Sequence, residues 1–102
     1  MFIDVVLQTG QGEQIEQALD WHQTVSLLIP SREDATFCCL RFIDPHSDTV
    51  FNSLQMSVFL EEWDRVQTNA QTQEQKDMWH QVRALAVQCE EGNHLYLRFR
   101  GD

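Results

Sequence analysis

Residues 36–56 read TFCCLRFIDPHSDTVFNSLQM, and the fold turns on how they are taken. Phe37, Cys38, Cys39, Leu40, Phe42 and Ile43 form a near-continuous apolar run with Arg41 as its one charge. That is the pattern of a strand covered on both faces. Asp44-Pro45-His46-Ser47-Asp48 stops it, because Pro45 lacks an amide donor and Asp and Ser side chains favour turns. Thr49, Val50 and Phe51 read as a returning strand. The expectation is a hairpin with a five-residue connection, placed at the middle of the sheet.

Working outward toward the start, Val25–Ile29 reads as a strand closed by Pro30 and Ser31, with Arg32-Glu33-Asp34 as a charged turn. Phe2–Leu7 is a strand candidate, and Gly10-Gln11-Gly12 a turn. From Glu13 to His22 the residues separate on a helical wheel, with Ile15, Ala18, Leu19 and His22 on one side. Glu13, Glu16 and Asp20 lie on another side, and Trp21 falls between the two. A short helix is expected here.

Toward the end, Asn52–Met56 connects to a helix with Ser57 as N-cap and Glu61 and Glu62 in its early turns, where carboxylates complement the dipole. Phe59, Leu60, Trp63 and Val66 give it one apolar face. Thr72 and Gln75 fit a capping box for a second helix. That helix carries Met78, Trp79, Val82, Leu85, Ala86 and Cys89 on one side, and Gly92-Asn93 is expected to end it. Glu90 and Glu91 sit in its last turn, against the dipole. His94–Phe99 alternates as a final strand. Arg98 and Arg100 are expected to pair with carboxylates. Together these elements predict one α+β domain over residues 1–102. Its sheet has four to five strands, antiparallel or mixed, with the two later helices packed on one face.

Sixteen acids against seven bases leave a formal charge of −9. Residues 1–35 hold six acids and one base, 36–68 five and two, and 69–102 five and four, so the excess lies at the front. Such a balance repels phosphate backbones and anionic bilayers, which argues against nucleic-acid and membrane partners and leaves a basic protein partner. No run reaches the roughly 20 apolar residues of a membrane span, and MFIDVVLQ lacks the basic leader of a signal peptide. Three cysteines, two of them adjacent, suit a reducing compartment, so all three are expected as small buried hydrophobes in a cytoplasmic protein.

Catalytic and cofactor chemistry finds little footing. Asp44, His46 and Asp48 are spaced like the opening of a calcium loop, but Thr49 and Gln55 stand where its Gly and Glu are required. His22, His46, His80 and His94 are scattered, with no zinc spacing, so no metal or cofactor is expected. Gly10 and Gly12 lack the rest of a phosphate-loop fingerprint, and acids follow them. A thiol nucleophile at Cys38 or Cys39 would lie inside an apolar strand, where burial makes it inert. No catalytic residues are assigned.

The segment Phe42–Met56, with its Asp-Thr-Val-Phe-Asn, and the ending HLYLRFRGD at His94–Asp102 resemble a group of small bacterial proteins. In these, two helices follow the Asp-Thr-Val-Phe-Asn stretch and the chain closes on a strand ending Gly-Asp. The resemblance spans residues 36–102 and implies a bacterial cytoplasmic setting without any assigned chemistry.

Three functional expectations follow. The first is a small acidic protein-binding module, in its narrowest form an immunity-type inhibitor of a basic toxin domain. Its contact residues are Glu13, Glu16, Asp20, Trp21, Asp44, His46, Asp48, Glu90 and Glu91. The second is a small enzyme or ligand-binding domain using the 44–48 loop and the last strand, with Asp44, His46, Asp48, His94, Tyr96 and Arg98. The third is a homodimer joined through a sheet edge at Phe2–Leu7 or Val25–Ile29.

Overall fold

The computed structural model describes residues 1–102. Its sheet has four strands: β1 (Asp4–Thr9), β2 (Gln14–Ala18), β3 (Asp48–Asn52) and β4 (Leu95–Arg100). They lie in the order β2-β1-β4-β3, every neighbouring pair antiparallel. The helices are α1 (Val25–Leu28), α2 (Met56–Arg65) and α3 (Gln73–Glu91), and the long α2 and α3 cover one face. This is the expected α+β architecture, with a different centre.

The two central strands are the first and last in the chain. Val5 pairs with Phe99 and Leu7 with Leu97, while Thr49 and Phe51 meet the same two β4 residues from the other side. Period-2 alternation therefore puts Val5, Leu7, Phe51, Leu97 and Phe99 on the covered face. The Phe51, Phe59 and Phe99 rings meet at centroid distances of 5.6 to 5.8 Å, and Phe59 stacks on Trp63 at 5.7 Å. Tilted and offset contacts of this kind are the favoured aromatic geometry.

The apolar run at 37–43 is not a strand, and no hairpin forms around residues 44–48. Phe37, Cys39, Leu40 and Ile43 are buried, but through a loop with a 3-10 turn at Leu40–Phe42, and β3 is an edge strand. The cause is Glu62. Its carboxylate, only 3% exposed, accepts the backbone N–H of Cys38 (2.5 Å), Cys39 (3.0 Å) and Leu40 (3.0 Å). Three successive amides cannot converge on one acceptor in a strand, where they point alternately to either side. Glu62 therefore anchors the loop from inside α2 and does not serve the helix dipole.

Two further elements exchange identity. The segment expected as a helix from Glu13 to His22 holds β2, because β1 needs an antiparallel partner and finds it through a turn at residues 10–13, with Gly12 at φ 85. Val25–Leu28 is one turn of helix and Ile29 only its extended C-cap, with Val25 and Leu28 buried three apart and Leu27 exposed. Helix α2 is entered from a 3-10 turn at Ser53–Gln55, capped by Asn52 and Gln55 and not by Ser57. Thr72 and Gln75 form the capping box of α3 as read from the sequence, at 3.1 and 3.2 Å. Past α3 the left-handed residue is His94 at φ 58, while Gly92 sits at φ −88.

Neither proposed dimer edge is an edge. Phe2–Leu7 lies largely within β1, which is paired on both sides, and Val25–Ile29 holds the helix α1 and no strand; the free edges belong to β2 and β3.

Candidate functional site

Leaving β2, the chain turns sharply, and a buried carboxylate holds the turn. Asp20, 2% exposed, accepts the amides of Ile3 (3.0 Å) and Thr24 (2.7 Å), the Thr24 hydroxyl (2.9 Å) and the Val25 amide (3.4 Å). Its own N–H donates to Asp4 Oδ1 at 2.8 Å. Gln23 takes a left-handed conformation at φ 54 to complete the turn. With Asp20 fixed inward, its neighbour Trp21 is driven outward and is 74% exposed.

Trp21 does not stand alone. It lines a cleft of about 150 Å³ together with Leu19, His22 and, across from it, Glu74, Asp77 and Met78 of α3. On another side it lines a second cleft of about 130 Å³ with Phe2 and Asp4. Phe2 is itself 43% exposed. The capping box fixes where α3 begins, which sets Glu74 and Asp77 on the first two turns facing this surface. The result is an aromatic projection with apolar shoulders and a carboxylate rim.

The distribution of bases sharpens that rim. Arg83 bonds Asp64 at 2.8 Å, Arg98 bonds Asp48 at 2.9 Å and Arg100 bonds Asp4 at 3.2 Å. Arg65 donates to the Thr36 carbonyl and hydroxyl and lies 4.0 Å from the Phe37 ring centroid. Most of the positive charge is therefore spent inside the fold, as read for Arg98 and Arg100, while Glu74 makes no ion pair.

The residues singled out from the sequence separate into three sets. Trp21 and Glu16 belong to one surface: Glu16 lines a shallow cleft with Gln81, and Gln81 also lines the Trp21 cleft. Glu13 is exposed at the β1–β2 turn, at the other end of β2 from Trp21, and does not share its surface. Asp20 is a correction, because its oxygens are taken up by the backbone and it offers nothing to a partner. Glu90 and Glu91 are exposed at the end of α3.

The third set is Asp44, His46 and Asp48. Asp44 accepts the His46 amide at 2.9 Å, and Asp48 is held by Arg98. His94 and Tyr96 do not join them. Asp48 pairs in register with Arg100 and Asn52 with Tyr96, so His94 lies beyond the other end of β4, in a cleft of about 360 Å³ with Asn52 and Leu54. The loop and the histidine-bearing end of the last strand therefore form two places and not one site.

Of the cysteines, Cys39 and Cys89 are buried and Cys38 is exposed, which corrects the expectation that all three lie inside. Burial pushes the Cys39 thiol up to about 11, with the Glu62 carboxylate adding to it, and burial alone pushes Cys89 up to about 11. Neither is a ready nucleophile near neutral pH. Sequence reasoning missed Phe2, Glu74 and Asp77. No local signal singles out Glu74 or Asp77, and only the tertiary packing of α3 against the 19–24 turn brings them to Trp21. No protein-family model, curated protein or solved structure matches this chain.

Proposed function

We propose that this chain is a protein-binding module that takes a basic partner on the Trp21 surface. The observation that carries the reading is an indole 74% exposed beside a cleft whose far wall presents Glu74 and Asp77. Tryptophan is prominent among residues that dominate binding energy once covered, and a rim of polar groups around such an anchor excludes water from it. A partner Arg or Lys laid against the indole face gains from the ring quadrupole, and nearby carboxylates answer its charge. The −9 charge speeds encounter with a positive surface. An immunity-type inhibitor that occludes a basic toxin domain is the narrower form, favoured by size and charge. Cytoplasmic residence belongs to the same proposal, since three unpaired thiols persist best in a reducing compartment.

The test is affinity capture from the native organism, run in parallel with wild type, Trp21→Ala and the pair Glu74→Gln/Asp77→Asn. A discrete basic protein is expected on wild type at low salt. It should be lost with Trp21→Ala and reduced several-fold by the charge pair or by raised salt. Equal retention on all three proteins overturns the assignment.

A further inference from the structure

On a different part of the molecule, the connection from α1 to the 3-10 turn at Leu40–Phe42 borders an open cleft of about 420 Å³. That size lies within the range of small-molecule sites, about 300–1,000 Å³. Ser26, Arg32 and Arg41 line it with the apolar walls of Ile29 and Ile43, and no carboxylate is among its lining residues. In a chain with sixteen acids, a concavity bearing two guanidinium groups and no acid stands apart.

The bases themselves supply a second, independent observation. Arg65, Arg83, Arg98 and Arg100 all donate hydrogen bonds within the fold, whereas Arg32, Arg41 and Lys76 donate none. Two of these three uncommitted bases line this one cleft. The Arg41 Nε–H is buried without an acceptor, and its Cζ lies 4.7 Å from the Phe42 ring centroid. A guanidinium without a partner in the fold is the side chain best matched to a planar or tetrahedral oxyanion.

We propose that this cleft binds an oxyanion, the phosphate or carboxylate group of a small molecule, through Arg32 and Arg41. Glu33 does not line the cleft but lies within the fields of Arg32 and Arg41. Its carboxylate is tied to the Ser31 hydroxyl at 2.8 Å. It is held below the ordinary range first by that bond, then by its backbone bond, and in lesser part by the fields of Arg32 and Arg41. The charge of Glu33 therefore offsets part of the field of the two arginines, and the sign of each contribution is separable by mutation.

The experiment titrates inorganic phosphate, and separately acetate, into isotope-labelled protein at constant ionic strength. It follows the Arg32 and Arg41 Nε–Hε resonances and the backbone amides of residues 26–33 and 40–45. Saturable shifts confined to these signals are expected with at least one anion, and which anion saturates assigns the ligand class. Arg41→Lys and Arg32→Gln should each weaken binding roughly tenfold, and Glu33→Gln should tighten it several-fold. Linear, unsaturated shifts spread equally over the Lys76 region with both anions overturn the proposal. So does an Arg32→Gln protein, folded by its unchanged spectrum, that binds as wild type does.

Discussion

Trp63 and Trp79 hold one another: the Trp63 indole N–H donates to the Trp79 carbonyl at 3.0 Å, and the Trp79 indole N–H donates to the Trp63 carbonyl at 2.8 Å. Both residues are buried, so each bond satisfies a donor that would otherwise be stranded out of water. This reciprocal clasp ties α2 to α3, the helix that carries Glu74 and Asp77. Replacing either indole by phenylalanine removes a buried donor and leaves a void. Trp63→Phe and Trp79→Phe should each cost about 2–3 kcal/mol, read as a shift in urea midpoint at constant m-value.

The same arrangement predicts a spectroscopic division. Native fluorescence should contain one quenchable population, Trp21, and two protected indoles. Iodide should quench wild type only in part and leave Trp21→Phe almost unaffected. Full quenching of all emission in the native state would contradict the packing.

Glu62 carries the loop at 37–43, and its removal should be costly. Glu62→Ala leaves three backbone amides without their acceptor, two of them on buried residues, for a loss of roughly 3 kcal/mol or more. Glu62→Gln keeps one acceptor but turns an NH2 group toward the amides, so it should fall between. The loop-specific readout is Cys39, which should become alkylatable in the Ala variant under conditions that leave the wild-type thiol intact.

The thiols give a pH dependence of definite sign. Cys39 and Cys89 are raised by burial from an ordinary 9.0 to about 11, so the fold disfavours their thiolates. Their contribution to stability is complete below pH 9, where folded and unfolded thiols are both protonated. It is lost as pH rises from about 9 through 11, because the unfolded chain releases these protons first. Unfolding free energy should therefore decline over that alkaline window and decline less in a Cys39→Ala/Cys89→Ala protein. At pH 8, iodoacetamide should label Cys38 alone in the native state and all three thiols in denaturant.

Gly101 is fixed by close approach of backbone to backbone. A Cβ there would lie 2.6 Å from the Ser47 carbonyl oxygen and 2.7 Å from that of Pro45, both on the 44–48 loop. Those carbonyls accept the amides of Gly101 (3.0 Å) and Asp102 (2.9 Å). Gly101→Ala should cost about 1–3 kcal/mol and abolish hydrogen-exchange protection at both amides.

These contacts also show where sequence reasoning reached and where it stopped. β1, β3, β4 and α3 were legible because alternation, turn residues and the Thr72–Gln75 capping box are local signals that the tertiary structure leaves intact. The 37–43 run misled because burial there is achieved by a loop, and the acceptor that permits it, Glu62, lies more than twenty residues downstream. At 13–22 the wheel separated residues convincingly, yet β1 required a partner strand, and Ile15 faces solvent on that edge. Val25–Ile29 was an apolar run too short for periodicity to decide between helix and strand. At the candidate site, Trp21 and Glu16 were visible as an aromatic beside acids. Asp20 was legible as an acid but not as the buried anchor that turns Trp21 outward. Glu74 and Asp77 reach the site only through packing.

The most direct measurement places a benzophenone amino acid at the exposed His22, which lines the same cleft and leaves Trp21 in place, and, as a control, at the exposed Leu54, and irradiates the protein in the cells that make it. The account predicts one discrete adduct to a basic protein from position 22, absent from position 54 and diminished when Glu74→Gln and Asp77→Asn are added. Identical adducts from both positions, or none from position 22, would contradict it.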